Sequence, residues 1–165
     1  MKKNILIFSI HLIIFGFTSS LYSHCQIPCG IYGDQTRFTL IREHISTIEK
    51  SMDLINELST DPGKNMNQLV RWINNKDEHA NKLTEIITSY FLSQRIKIKE
   101  PSNSSEYVKY QKMTVLLHQM MVYSMKCKQT TDKNNVQKLA DLINIFETTY
   151  FDHEAKEHLK EHNKP

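Results

Sequence analysis

Apolar residues recur along most of this chain at the spacing of an α-helix. From position 33 onward they return every three or four residues, which places them on one helical face. In the first such segment they are Phe38, Ile41, Ile45, Ile48, Met52 and Ile55. Asp34 or Thr36 is placed to cap the start of this helix. Asp61-Pro62-Gly63 ends it, because proline cannot continue the hydrogen-bond ladder of a helix.

The same spacing predicts three further helices. The second runs from about Met66 to Ile98. The third begins with Asn103 and Glu106 as a capping pair, and the fourth follows a polar turn at residues 130–135. The apolar faces of these helices, in chain order, are Met66, Leu69, Ile73, Ala80, Leu83, Ile87 and Tyr90; Tyr110, Met113, Leu117, Met120 and Ser124; and Val136, Leu139, Ile143, Phe146 and Tyr150.

Four amphipathic helices joined by short connections favour one architecture. We predict an all-α protein, with an antiparallel up-down four-helix bundle over residues 33–152, because short connections place consecutive helices side by side. No alternating strand pattern competes with these helices. Residues 153–165 are charged and poor in apolar side chains, so we expect a polar tail there.

Residues 1–23 have the three-part layout of a secretory signal peptide. Lys2 and Lys3 precede an apolar run from Ile5 to Phe17, and residues 18–23 are mostly small and polar. We expect cleavage directly after this segment. The protein would then be exported to the outside, a periplasm or an organelle lumen, with no stable membrane insertion after cleavage.

The charge balance argues against nucleic acid as a partner. The chain has 21 Lys and Arg against 18 Asp and Glu, a formal net charge of +3. Loss of the two leader lysines would leave +1, which is close to neutral. The sequence has no basic patch with interleaved aromatic residues of the kind that nucleic-acid binding uses.

The densest set of metal-binding atoms lies directly after the leader, in the segment 24–32, HCQIPCGIY. If cleavage precedes His24, that residue offers an α-amine and an imidazole. Cys25 offers a thiolate and its amide nitrogen, and Cys29 offers a second thiolate. Two thiolates with an amine and an amide nitrogen form a planar donor set that suits Ni(II) or Cu(II) better than tetrahedral Zn(II). The imidazole is then free to bind axially.

Removal of the leader is a chemical requirement for this donor set. With Ser23 still attached, the His24 amine is an amide and cannot serve as the same donor. Pro28 limits the conformations of the loop between the two sulfur atoms, and Gly30 lets the chain turn away after it. Maturation and metal assembly are therefore linked.

The segment resembles the nickel-binding hook of nickel-containing superoxide dismutases. The residues that match the family's His-Cys-x-x-Pro-Cys-Gly-x-Tyr motif are His24, Cys25, Pro28, Cys29, Gly30 and Tyr32. Gln26 departs from it, since many members carry Asp at that position. The four-helix pattern fits the same family.

The resemblance implies a function and an assembly. It implies one nickel ion per subunit, held by His24, Cys25 and Cys29, that disproportionates superoxide to dioxygen and hydrogen peroxide by cycling between Ni(II) and Ni(III). Tyr32 joins these ligands as a catalytic residue, because it is expected beside the open face of the metal, where it controls access of the anion. A homohexamer, with each hook packed against neighbouring subunits, is also implied.

The family also orients its axial imidazole with a glutamate on the first helix and an arginine on the second. Here the first position falls on Leu40 or Ile41, and the aligned part of the second helix carries Asn75 and Lys76. The candidates to replace the missing pair are Glu43, Lys76 and Glu78.

Two other functions fit the same hook residues. A secreted helical-bundle interaction protein would use a Cys25–Cys29 disulfide as a terminal staple, since nearby cysteines often pair in oxidising compartments. A nickel- or copper-binding protein without catalysis would use the same donors only to hold the metal.

The other histidines of the helices and the third cysteine are predicted to have no site of their own. Cys127 is interpreted as an ordinary buried or semi-exposed thiol. His44, His79 and His118 fall on separate helices with no paired carboxylates, and we expect each to be isolated.

Overall fold

The computed structural model describes residues 31–151 of the chain. Within this range the prediction of an all-α four-helix bundle is confirmed. The helices are α1 (Ile31–Leu58), α2 (Pro62–Glu85), α3 (Ser104–Gln129) and α4 (Lys133–Tyr150), and α2 is continued by a π-helical segment, Ile86–Arg95. The predicted leader, the predicted hook up to residue 30 and the predicted polar tail lie outside the described residues.

Consecutive helices run antiparallel around one core. Asp34, in the first turn of α1, contacts Arg95 at the end of the π-helical segment and Tyr150 at the end of α4. Lys133, at the start of α4, pairs with Asp53 near the end of α1. Both α1 and α3 pack against α2 and α4. No helix of the described range is long and apolar enough to cross a lipid bilayer.

Aromatic rings fill the end of the core where α1 begins. The Phe38 ring lies 5.1 Å from Phe91, 5.5 Å from Phe146 and 5.3 Å from Phe151, measured between ring centroids. All four side chains are at most 5% exposed. Burial of each such side chain stabilises the fold by about 1.5–3 kcal/mol, so this cluster holds the first turns of α1 against the ends of α2 and α4.

Short polar side chains cap the helices that follow each connection. Asn103 accepts a hydrogen bond from the Glu106 amide, which confirms the predicted cap of α3. Asp61 caps α2 by accepting from the Lys64 amide. The helix therefore begins at Pro62 rather than Met66, because proline suits the first helical position.

The predicted cap of α1 is wrong. Because α1 begins at Ile31, Asp34 lies inside its first turn and Thr36 lies in the second. The Asp34 carboxylate is turned into the bundle, where it bonds to other helices instead of to the backbone of its own helix.

The predicted core face of α2 is confirmed at Leu69, which is 8% exposed, and is wrong at Met66 and Ile73. Met66 and Ile73 are 57% and 42% exposed. Lys76 bonds to the carbonyl oxygens of Cys127 and Lys128, so α3 ends level with Lys76. The part of α2 before that residue extends beyond α3 and has no α3 side chains to cover it.

The second helix ends in a π-helical segment that the sequence pattern does not predict. The Ile96 amide donates to the Phe91 carbonyl, five residues back, at 2.9 Å. A π-helical turn holds more residues than an α-helical turn. This is why the adjacent residues Tyr90 and Phe91 can both face the core, at 1% and 0% exposure. Helical structure stops at Arg95, before the predicted end at Ile98.

Candidate metal centre

The predicted nickel ligands, His24, Cys25 and Cys29, lie outside the residues that the structure describes. Tyr32 is the second residue of α1, so the predicted hook runs directly into the first turn of that helix. The residues that hold this turn therefore hold the point where the hook joins the bundle.

A buried polar cluster fixes the first turn of α1. Asp34 is 2% exposed. Its carboxylate accepts hydrogen bonds from Tyr90 Oη at 2.5 Å, Tyr150 Oη at 2.9 Å and Arg95 Nη2 at 2.5 Å. Arg95 Nε also donates to Tyr150 Oη at 3.1 Å. The donors come from the π-helical segment and the last turn of α4, so the cluster joins three elements at the end of the bundle that carries the hook.

The two phenols of this cluster keep their protons at neutral pH. Burial, and then the hydrogen bond to the Asp34 carboxylate, raises the pKa of Tyr90 above its ordinary value. Burial raises the pKa of Tyr150 to about 12. Both hydroxyl groups therefore remain donors to Asp34 across the physiological range.

A cavity of about 260 Å³ borders Tyr90 between α1 and α2, and its lining includes Arg37, Lys82 and Glu85. The Arg37 guanidinium lies over the Tyr90 ring, with its Cζ atom 5.2 Å from the ring centroid, within the range of a cation–π contact. Arg37 Nε is buried and has no hydrogen-bond partner in the described part of the chain. Two cationic side chains and one carboxylate therefore line this cavity, which leaves it with a positive balance.

The prediction that His44 and His79 are isolated is wrong. Their Nδ1 atoms are 3.1 Å apart, and their rings meet edge to face with centroids separated by 5.0 Å. The packing of α1 on α2 sets these positions opposite each other, and the sequence alone does not give that register. Burial lowers the pKa of both imidazoles. His118, in contrast, lies exposed on α3.

Of the candidates to replace the missing glutamate–arginine pair, Lys76 lies far along the bundle from the start of α1. Lys76 is buried against the end of α3. Its neighbour Asn75 bonds to Ser51, which lies about 25 Å along α1 from Asp34 at a rise of about 1.5 Å per residue. Glu43 is exposed. Glu78 pairs with Lys82 at 2.6 Å.

The two positions aligned with the family glutamate carry no charge. Ile41 is fully buried in the core, and Leu40 lines the cavity beside Tyr90. The structure instead places an acid and an arginine together at the start of α1, in the pair Asp34–Arg95. Asp34–Arg95 therefore differs in position from the glutamate–arginine pair that is expected to orient the axial imidazole in the family.

Sequence reasoning did not assign Asp34, Arg95, Tyr90 and Tyr150 to a common cluster. It placed both tyrosines on apolar faces and Asp34 at a cap. One signal was present, since a tyrosine at a core-facing position needs a partner for its hydroxyl group. The sequence could not identify that partner, because Asp34 and Tyr150 meet only through the packing of α1 on α4.

Cys127 is buried and free in the last turn of α3, in agreement with its interpretation as an ordinary thiol. Burial raises the pKa of this thiol to about 11. It therefore stays protonated at neutral pH, and the thiolate that acts as a nucleophile or metal ligand is scarce. Among residues 31–151, no group of three or more His, Cys, Asp or Glu side chains could hold a metal ion.

The chain matches a known protein family over most of its length. The family model described as nickel-containing superoxide dismutase matches residues 19–154, well over half of the 165-residue chain. The matched range includes the segment 24–32 and all of α1 to α4. No curated protein and no solved structure matches the chain.

Proposed function

The chain belongs to the nickel-containing superoxide dismutase family, and from this we propose that its mature form disproportionates superoxide at a nickel ion held by residues 24–29. The family is one of oxidoreductases, so the protein is an enzyme. The observation that carries the proposal is the family match over residues 19–154, a range that includes the segment HCQIPCGIY.

The donor atoms of this segment fit nickel. The amine and imidazole of a freed His24, the amide nitrogen of Cys25 and the thiolates of Cys25 and Cys29 would hold one nickel ion per subunit. Bound there, nickel supplies one-electron chemistry by alternating between Ni(II) and Ni(III). Overall, two superoxide anions and two protons give one dioxygen and one hydrogen peroxide.

The described residues give the hook a rigid point of attachment. Tyr32, which we propose to control access to the metal, is two residues before Asp34 in the sequence. The carboxylate of Asp34 is held by Tyr90, Tyr150 and Arg95. Because these partners belong to other helices, the first turn of α1 cannot rotate without breaking several bonds. The hook would therefore start from a fixed position.

The charged side chains near this point of attachment suit an anionic substrate. Arg37 and Lys82 line the cavity beside Tyr90, with Glu85 as the opposing charge. A positive balance near a reaction site raises the local concentration of a small anion and speeds its arrival. We propose that Arg37 and Lys82 attract superoxide toward the hook.

The same proposal includes export and assembly. Removal of residues 1–23 would free the His24 amine and deliver the protein to an exterior, periplasmic or organelle compartment. Apolar side chains of α2 at Met66, Val70 and Ile73 are 42–57% exposed, a pattern that favours contact with another subunit. We propose a homohexamer, in line with the family resemblance.

Native mass spectrometry of the exported protein tests the proposal against its alternatives. We expect a chain that begins at His24, carries one nickel ion and assembles into hexamers. A metal-free chain lighter by two hydrogens would instead indicate a Cys25–Cys29 disulfide and an interaction protein. A nickel-loaded chain with no superoxide dismutation would indicate a metal carrier.

A further inference from the structure

His44 of α1 and His79 of α2 face each other across the interface between the two helices. We propose that His44 and His79 bind one late first-row divalent cation, such as Zn(II), Ni(II) or Cu(II), through their Nδ1 atoms across the α1–α2 interface. Position 44 is ten residues beyond Asp34, or about 15 Å along α1. His44 and His79 are not among the proposed hook ligands, so the two sites share no donor atom.

The distance between the two nitrogen atoms suits chelation. Zn–N bonds are about 2.0–2.1 Å long, so two nitrogens on one ion are about 2.9 Å apart at a right angle and about 3.3 Å apart at a tetrahedral angle. The observed Nδ1–Nδ1 distance of 3.1 Å falls between these values. The two helices therefore already hold the rings at the separation that a bound cation requires.

The hydrogen bond between the two rings determines which proton must move before both rings can bind a metal. A hydrogen bond between two Nδ1 atoms needs one ring with a proton on Nδ1 and one with a bare Nδ1. For both Nδ1 atoms to bind a metal, the donor ring moves its proton from Nδ1 to Nε2 through solvent. Two neutral rings then become two metal ligands with no net release of protons.

Water would fill the remaining coordination positions of such a cation. No group of three or more potential ligand side chains occurs within residues 31–151, so the site offers two protein donors. The cavity of about 260 Å³ is lined by His44 and has room for several water molecules. Two imidazoles with water match the preferences of zinc, nickel and copper better than those of magnesium or calcium.

Charged neighbours tune the affinity of the pair. Glu43 precedes His44 and Glu78 precedes His79, so a carboxylate is adjacent in sequence to each ligand. Lys82 opposes them, because it lines the cavity beside His44 and pairs with Glu78 at 2.6 Å. Removal of the Lys82 charge should therefore strengthen cation binding by about threefold to fivefold, as for other exposed charge pairs.

Long-range proton–nitrogen correlation spectra of the imidazole rings test the site on the mature, nickel-loaded protein. Added Zn²⁺ should move the Nδ1 resonances of His44 and His79 together, saturate at one equivalent and leave both Nε2 atoms protonated. The signals are assigned residue by residue, so the result does not depend on what the hook binds. Rings that do not respond, or that respond no more than His118, would overturn the proposal and indicate adventitious binding only.

Matched variants add a stability readout. Zn²⁺ should raise the melting temperature of the wild-type protein and of His118→Gln, because binding to the folded state stabilises it. His44→Gln and His79→Gln should lose most of this rise, and Lys82→Gln should show a larger one at the same Zn²⁺ concentration. An equal rise in all four variants would contradict the assignment.

Discussion

At the scale of single residues, Asp34 joins the first turn of α1 to the end of the π-helical segment and to the end of α4. It is a nearly fully buried carboxylate whose charge is balanced by Arg95 and whose oxygens accept from Tyr90 and Tyr150. Removing one partner of a buried ion pair is costly, because the other charge is then left without compensation.

Asp34→Asn should therefore destabilise the protein by about 3 kcal/mol, since Arg95 would lose its counter-charge. Urea denaturation monitored by circular dichroism measures this change. Asp53→Asn is the matched control, because Asp53 pairs with Lys133 on the exposed surface and its loss should matter little. Equal effects of the two substitutions would show that the buried cluster does not hold the start of α1.

The Cys127 thiol gives a pH-dependent test of its burial. Its pKa is raised to about 11 from an ordinary value of 9.0, so the thiolate becomes abundant in the folded protein only near that pH. At pH 8, alkylation of Cys127 should be about 100-fold slower than in the urea-unfolded chain, and it should accelerate as pH rises toward 11. Peptide mapping after iodoacetamide treatment separates Cys127 from the other cysteines. Rapid alkylation of the folded protein at pH 8 would contradict the burial.

At the scale of helices, the sequence predicts the apolar faces well, because helical packing repeats at a fixed spacing. Phe38, Ile41 and Ile48 on α1, and Leu139 and Phe146 on α4, are buried as expected. The end of α2 could not be predicted in this way. Its π-helical segment changes the spacing locally, so Phe91 faces the core although it lies next to Tyr90.

Lys76 is buried, although it lies in a polar stretch of the sequence. Residues 74–79 are polar in sequence, yet Lys76 is 3% exposed. Its ammonium group donates to the carbonyl oxygens of Cys127 at 2.7 Å and Lys128 at 2.6 Å, and it contacts Asp77 at 3.0 Å. The last turn of α3 leaves carbonyl groups without partners in its own helix, and this lysine satisfies two of them.

Lys76→Met should destabilise the protein by about 2 kcal/mol, because it removes charge-assisted hydrogen bonds and leaves the end of α3 uncapped. Amide hydrogen exchange should also show faster opening of the last turn of α3. Lys138→Met on the exposed face of α4 serves as the control and should leave both readouts nearly unchanged. If both variants unfold at the same urea concentration, Lys76 does not cap α3.

Across the whole molecule, what the sequence cannot supply is the register between helices. His44 and His79, and likewise Asp34 and Arg95, are far apart in the chain and meet only because α1 and α2 pack antiparallel. The bundle itself follows from local patterns, and the proposed ligands follow from one short segment. The contacts around the start of α1 depend on how the helices pack against each other, which the local sequence pattern does not predict.

The described bundle has its own apolar core, so its folding should not depend on nickel. Removal of nickel with a strong chelator should abolish superoxide dismutation and leave the far-ultraviolet circular dichroism of the helices unchanged. Return of nickel should restore activity. Loss of the helical signal on chelation would mean that the metal supports the fold and does more than catalysis.

The central claim is that the free amine of His24 helps to hold a catalytic nickel ion. Stopped-flow measurement of superoxide decay tests it most directly, with the mature chain compared with a chain that keeps Ser23 before His24. With nickel supplied to both, we predict rapid decay with the mature chain and only the uncatalysed rate with the extended chain, while both show the same helical content. Equal rapid decay with the two chains would contradict the proposed metal centre.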